Sequence, residues 1–131
     1  MTDRSTDWLR QAERNLDQAK DCATSGRHEW ACFAAQQGAE SAVKALHLRL
    51  GQDAWGHVIR RLLEEVSLLV RVPADLIDAA QVLDAYYIPT RYANGHAEGA
   101  PGEHYGALQS GEAVRYAGQI IGFCRSQMAG A

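Results

Sequence analysis

Residues 30–50 read WACFAAQQGAESAVKALHLRL, and this stretch decides the fold. Placed at about 100° per residue, Ala31, Ala34, Ala35, Ala39, Ala42, Val43, Ala45, Leu46, Leu48 and Leu50 cover most of a helix circumference. A helix apolar on so many sides is packed on more than one of them. Small residues dominate, so neighbouring helices can approach closely. One main polar sector interrupts the apolar surface, formed by Gln36, Gln37, Glu40, Lys44 and His47 within about 100° of arc. Such a stripe faces solvent, a partner or a site. In the first case Glu40 and Lys44 form an i,i+4 pair worth roughly a few tenths of a kcal/mol.

The flanking sequence reads the same way. Before the central helix, Trp8, Ala12, Leu16, Ala19 and Ala23 recur at helical spacing from about Asp3 or Ser5 onward, and Ser25-Gly26 ends that helix. After it, Gly51 is the stop. A third helix is expected over about 56–70, with Val58, Leu62, Leu63, Val66, Leu69 and Val70 on one side. Pro73 suits the first position of a fourth, which carries Leu76, Ala79, Ala80, Leu83 and Tyr86 before Pro89 ends it. Residues 89–109 hold two prolines and several glycines, a loop of a length that is usually functional or disordered. Its segment 93–106 is expected to be mobile without ligand, because its glycines leave little to fix it. Ser110 would cap the last helix, whose apolar positions are Ala113, Ala117, Ile120, Ile121 and Cys124. No segment alternates with period two. The expectation is one all-α domain over residues 1–131, an up-and-down bundle of four long helices plus one shorter helix.

The 131-residue chain is 47% hydrophobic and 22% charged, with net charge −3. It has no global basic field of the kind that marks a nucleic-acid coat, so any RNA contact rests on a local cluster. No apolar run approaches the roughly 18 residues of a membrane span, and the polar N-terminus has no signal-peptide core. Cys22, Cys32 and Cys124 are an odd set without CxxC spacing, read as reduced, mostly buried thiols of a cytoplasmic protein. No His/Cys pair has metal-site spacing, so neither a metal nor another cofactor is expected.

The chemistry-bearing segment is Arg91-Tyr92-Ala93-Asn94-Gly95-His96. An arginine matches phosphate geometry and a histidine moves protons near neutral pH. In a cleavage reading, His96 is the general base or acid at a ribose 2′-hydroxyl and Arg91 stabilises the phosphorane charge. In the bland reading, Arg91 caps the fourth helix or pairs with a carboxylate such as Asp84, and His96 is solvated. His57, after Gly56, either caps a helix or binds at its N-terminus. Tyr86 reads as core, while Tyr87 and Tyr92 are open between core and base stacking. Trp8 and Trp30 read as core, and Trp55 as half-exposed.

Several segments together resemble the HEPN family of small helical domains. They are Trp8-x3-Ala12, the run from Trp30 to Ala45 with its Gln37-x2-Glu40-x3-Lys44 pattern, His57, and Tyr86-Tyr87-Ile88-Pro89-Thr90-Arg91-Tyr92. The likeness covers about the whole chain. It implies a bundle of four or five helices that dimerises, often encoded beside a minimal nucleotidyltransferase. Many members are metal-independent RNases, including toxins of toxin–antitoxin pairs, with an Arg-x4-6-His motif that Arg91 and His96 fit. Family toxins often have a polar residue after the arginine and a tyrosine two after the histidine. Here Tyr92 and Glu98 stand at those positions, and the segment looks more like the stand-alone branch with an Arg-Tyr-Pro signature, Ala93 replacing the proline.

The expected function is therefore a nucleotide- or RNA-binding HEPN module, either the RNase half of a toxin–antitoxin pair or a non-catalytic module binding a protein or nucleotide. A homodimer is expected from the resemblance and the polar stripe. Arg91 and Tyr92 are expected to lie near Gln37, Glu40 and Lys44, with His57 at the edge. His96 is the candidate catalytic partner of Arg91.

Overall fold

The computed structural model describes residues 3–130. Five α-helices follow one another: α1 (Ser5–Thr24), α2 (His28–Arg49), α3 (Ile59–Val66), α4 (Ala74–Asp84) and α5 (Ala107–Gly130). Two 3-10 turns, Ala93–Gly95 and Pro101–Glu103, lie between α4 and α5. There is no strand among the described residues. The all-α bundle expected from periodicity is what forms.

As its alanine-rich surface demands, α2 is central and packs against every other α-helix, most extensively α1 and then α5. Ala12, Ala19, Ala35, Ala39, Ala42, Ala113 and Ala117 are fully buried along these contacts. At Gly38 the fit is close enough that a Cβ would stand 3.2 Å from the Ala12 carbonyl and 3.4 Å from the Ile121 side chain. Larger side chains fill the end where α3 and α4 dock, among them Leu46, Ile59, Leu62, Leu63 and Leu83.

Three boundaries depart from expectation. The third helix is only eight residues long. Gly56 is left-handed, at φ 84°, and the start is fixed by a tertiary cap, since Asp84 accepts the Ile59 and Arg60 amides at 2.6 and 3.1 Å. Beyond Val66 the chain unwinds through tight turns, leaving Leu68 and Leu69 80% and 55% exposed. The fourth helix stops at Asp84, and Tyr86 closes a following turn by donating its amide to Leu83 O at 2.9 Å. The last helix starts before Ser110. Gly106 takes the cap position, its carbonyl accepting the Ser110 amide at 3.1 Å and its amide donating to Gln109 Oε1 at 2.9 Å, the reach-back of a capping box. Ser110 is buried inside the first turn, its hydroxyl 2.7 Å from His28 Nδ1.

The tryptophans are another correction. Trp8 and Trp30 are 40% and 47% exposed, and Trp55 82%. All three cysteines are free and buried. Burial pushes the Cys32 and Cys124 thiols up to about 12, which makes them poor nucleophiles. No helix among the described residues is long and apolar enough to cross a membrane.

Candidate functional site

The site grows from the point where α4 ends. Helix ends leave carbonyls without partners, and two side chains take them up. The buried Thr90 hydroxyl donates to Tyr86 O at 2.6 Å, and Arg91 Nε donates to Tyr87 O at 2.9 Å. Arg91 thus does part of what the bland reading asked. Its guanidinium then lies over three aromatic rings, with Cζ 4.3 Å from the Phe33 centroid, 4.7 Å from Tyr87 and 5.1 Å from Tyr92. Such contacts hold a cation in place without neutralising it. Among the described residues no carboxylate pairs with Arg91. Asp84 is not its partner, because that carboxylate is taken by the α3 amides. Burial raises the Asp84 pKa above the usual carboxylate value, against the opposite pull of those amides.

From Arg91 a continuous set of contacts leads onto the α2 stripe. The exposed His57 ring stacks on Tyr87 at 3.9 Å, and the His57 carbonyl accepts a long bond from Gln36 Nε2 at 3.5 Å. His57 caps nothing; Asp84 does that. Gln36, fully buried, donates to Glu40 Oε1 at 3.0 Å and accepts from Gln37 Nε2 at 2.7 Å. Glu40 Oε2 holds Lys44 Nζ at 3.0 Å, with the two side chains only 13% and 18% exposed. Lys44 Nζ in turn sits 5.9 Å from the Trp8 ring. Tyr92 is 48% exposed beside Arg91.

His47 leaves the stripe. It is buried, and its Nε2–H donates to Leu62 O at 2.8 Å, tying α2 to α3. Nor does His96 join the cluster. Its Nε2–H donates to Pro89 O at 2.7 Å, and its ring stacks on His104 at 4.1 Å with an edge contact to Tyr105 at 5.8 Å. The connection from α4 to α5 is fastened by these contacts, by His104 Nε2 donating to Glu98 O at 2.6 Å and by Glu103 accepting the Ala100 amide at 3.0 Å. The glycine-rich segment therefore has more to hold it than its composition suggested.

Sequence reasoning missed Phe33 as the floor of the Arg91 cluster. The available signal was register: Trp30, Phe33, Gln37, Glu40 and Lys44 follow alternating steps of three and four and share one face of α2. Among the described residues no group of three His, Cys, Asp or Glu side chains is arranged to hold a metal ion.

The comparisons with known proteins agree with this architecture. The model of the HEPN domain family matches residues 5–127. The chain belongs to the HEPN domain family. Solved structures superpose along nearly its whole length. TT1696 from Thermus thermophilus is 49% identical, with TM-score 0.92, 95% of this chain and 98% of that one being covered. The archaeal HEPN homologue ST0689 is 38% identical, with TM-score 0.83 and coverages of 97% and 99%. An HEPN domain protein from Thermotoga maritima, TM0613, is 34% identical, with TM-score 0.76 and coverages of 93% and 97%. No curated protein matches the chain.

Proposed function

We propose that this HEPN domain is a binding module for a nucleotide or single-stranded RNA, with Arg91 as its phosphate anchor. The observation that carries the reading is the state of that guanidinium. It is held by three aromatic rings and one backbone carbonyl, and among the described residues it has no carboxylate partner. A preoriented arginine with free terminal nitrogens suits bidentate phosphate contact. Tyr92 and His57 offer exposed rings for stacking on either flank. Gln37, Glu40 and Lys44 continue the surface as a shielded, internally neutral strip. A two-fold homodimer, the habit that resemblance to the family implies, would bring two such surfaces to one assembly.

The test is fluorescence anisotropy with a short 5′-phosphorylated RNA and with mononucleotides. Arg91→Ala is expected to weaken binding at least about tenfold, the scale of one charge-assisted contact. Binding equal to the parent protein would sink the reading.

A second reading, a metal-independent endoribonuclease toxin with a nucleotidyltransferase partner, has its own supporting observation. Donation of His96 Nε2–H to Pro89 O fixes the tautomer that leaves Nδ1 as a base, and Arg91 stands at the family spacing. Catalysis would require that base to reach a substrate held by Arg91. RNA cleavage in the presence of EDTA, lost in both Arg91→Ala and His96→Ala, would establish it. Intact RNA and harmless expression would leave the non-catalytic module.

A further inference from the structure

We propose that the groove between α1 and α2 takes the nucleobase of the ligand whose phosphate Arg91 anchors. This rests on the phosphate reading above and adds a second subsite to it.

The groove has a volume of about 510 Å³ and is lined by Trp30, Phe33 and Gln37 from α2 and by Asn15, Gln18 and Cys22 from α1. That lies within the range of small-molecule sites, which combine apolar walls with a few placed polar groups. A base needs a flat apolar wall and edge partners that are not already used. Trp30 is 47% exposed and meets Phe33 edge to face at 6.3 Å, so an aromatic ring stands open to the groove. The three carboxamides each commit one group and keep another. Asn15 Oδ1 accepts from Gln11 at 2.9 Å, which leaves the Asn15 amide N–H groups. Gln18 Nε2 is held at Cys22 Sγ, 3.2 Å away, which leaves Gln18 Oε1. Gln37 Nε2 donates to Gln36, which leaves Gln37 Oε1. The free set therefore contains both donors and acceptors, the mixture that the Watson–Crick edge of every base presents.

Connection to the anchor is direct. Phe33 lines the groove, and the Arg91 Cζ lies 4.3 Å from the same ring. Base and phosphate of one nucleotide can thus engage neighbouring groups across a single side chain. Arg27 also lines the groove and has no carboxylate partner among the described residues. The base belongs either to a free nucleotide or to the end of an RNA strand; the chemistry recognised is the same.

Titration calorimetry with ribose 5-phosphate, the four 5′-mononucleotides and a 5′-phosphorylated tetranucleotide separates the possibilities. At least one base-bearing ligand is expected to bind about tenfold more tightly than ribose 5-phosphate, the scale of one stacked base. Trp30→Ala and Asn15→Leu, both checked for native helicity, should each reduce that ratio to below about threefold. Arg91→Ala should weaken all ligands together. Tryptophan-dependent binding of mononucleotides identifies a nucleotide site, and the same dependence seen only with the tetranucleotide identifies an RNA end. A parent ratio near one overturns the base subsite and leaves the phosphate anchor standing. A ratio of ten that survives both groove substitutions puts the base elsewhere and also overturns it. Absence of binding by every ligand overturns both readings.

Discussion

Replacing Asp84 by alanine tests the tertiary cap that positions one side of the site. The carboxylate accepts two α3 amides, Ile59 at 2.6 Å and Arg60 at 3.1 Å. Loss of a helix N-cap costs about 0.5–2 kcal/mol. Ile59 is fully buried, so its amide would in addition be left without a partner, at about 1–3 kcal/mol. Arg60 is partly exposed, and water can take over its amide. Against these losses stands the relief of a half-buried charge, whose desolvation already raises the Asp84 pKa. The net expectation is a loss of about 2–3 kcal/mol, or roughly 10 °C in Tm for a domain of this size. Asp84→Asn keeps a neutral acceptor and should lose about 1 kcal/mol. Urea unfolding read by circular dichroism gives both values, with the midpoint moving and the slope constant. Hydrogen exchange should show the α3 amides opening first. A loss below about 0.5 kcal/mol in Asp84→Ala, with α3 exchange unchanged, would refute the reasoning.

Four further outcomes follow from packing and burial. Cys32 and Cys124, whose thiols burial pushes up to about 12, should resist iodoacetamide at about pH 8 in the native protein and react on denaturation; mass spectrometry reads this, and rapid native labelling would contradict the burial. Gly38→Val should cost more than about 2 kcal/mol because its Cβ already stands 3.2 Å from the Ala12 carbonyl and 3.4 Å from the Ile121 side chain, and two further methyls must be fitted beyond it. Gly38→Ala should come out near neutral in the same unfolding assay, its helix-propensity gain of about 1 kcal/mol offset by a tight contact. Lys44→Ala should cost more than the roughly 0.3–0.5 kcal/mol of an exposed i,i+4 pair, since its loss strands a mostly shielded Glu40; a double-mutant cycle with Glu40→Gln giving no coupling would count against this.

The bundle was legible because helical periodicity is local, and the alanine-rich run of α2 can be satisfied only by burial on several sides. Two kinds of feature were not legible. Caps supplied from a distance, such as Asp84 on α3, have no signature near the helix they start, and at the other end the apolar Leu69 and Val70 stretched the expected third helix past its end. Exposure of aromatics was the other. Trp8 and Trp30 sit at helical spacing whether they line a core or a groove, and only the packed neighbours decide. In the candidate site, Glu40, Lys44, Gln37 and Arg91 could be named from residue type, and His57 and Tyr92 flank them. The partner of His96 could not be named, because a ring nitrogen bonded to the Pro89 carbonyl depends on the path of the loop. His47 was misread as part of the stripe because its bond to the Leu62 carbonyl lies across the α2–α3 interface.

The free charge on Arg91 is itself a consequence of how the fold uses its acids. Asp84 lies at the end of α4, seven residues before Arg91, and by sequence the two were candidates for an ion pair. The N-terminus of α3 competes for the same carboxylate with two aligned amides and the positive end of a helix dipole. One arginine at a partly exposed position offers less. Once α3 has taken Asp84, Arg91 is left to satisfy a carbonyl with Nε and to rest on aromatic faces, which orient a cation without cancelling it. Glu40, the acid of the α2 stripe, is likewise occupied by Lys44 and Gln36. The same bonds that close the α2–α3–α4 corner thus leave Arg91 an oriented cation, uncompensated among the described residues, beside a groove whose carboxamides each keep one free group. An anionic ligand would supply the neutralising charge that, among the described residues, the fold does not.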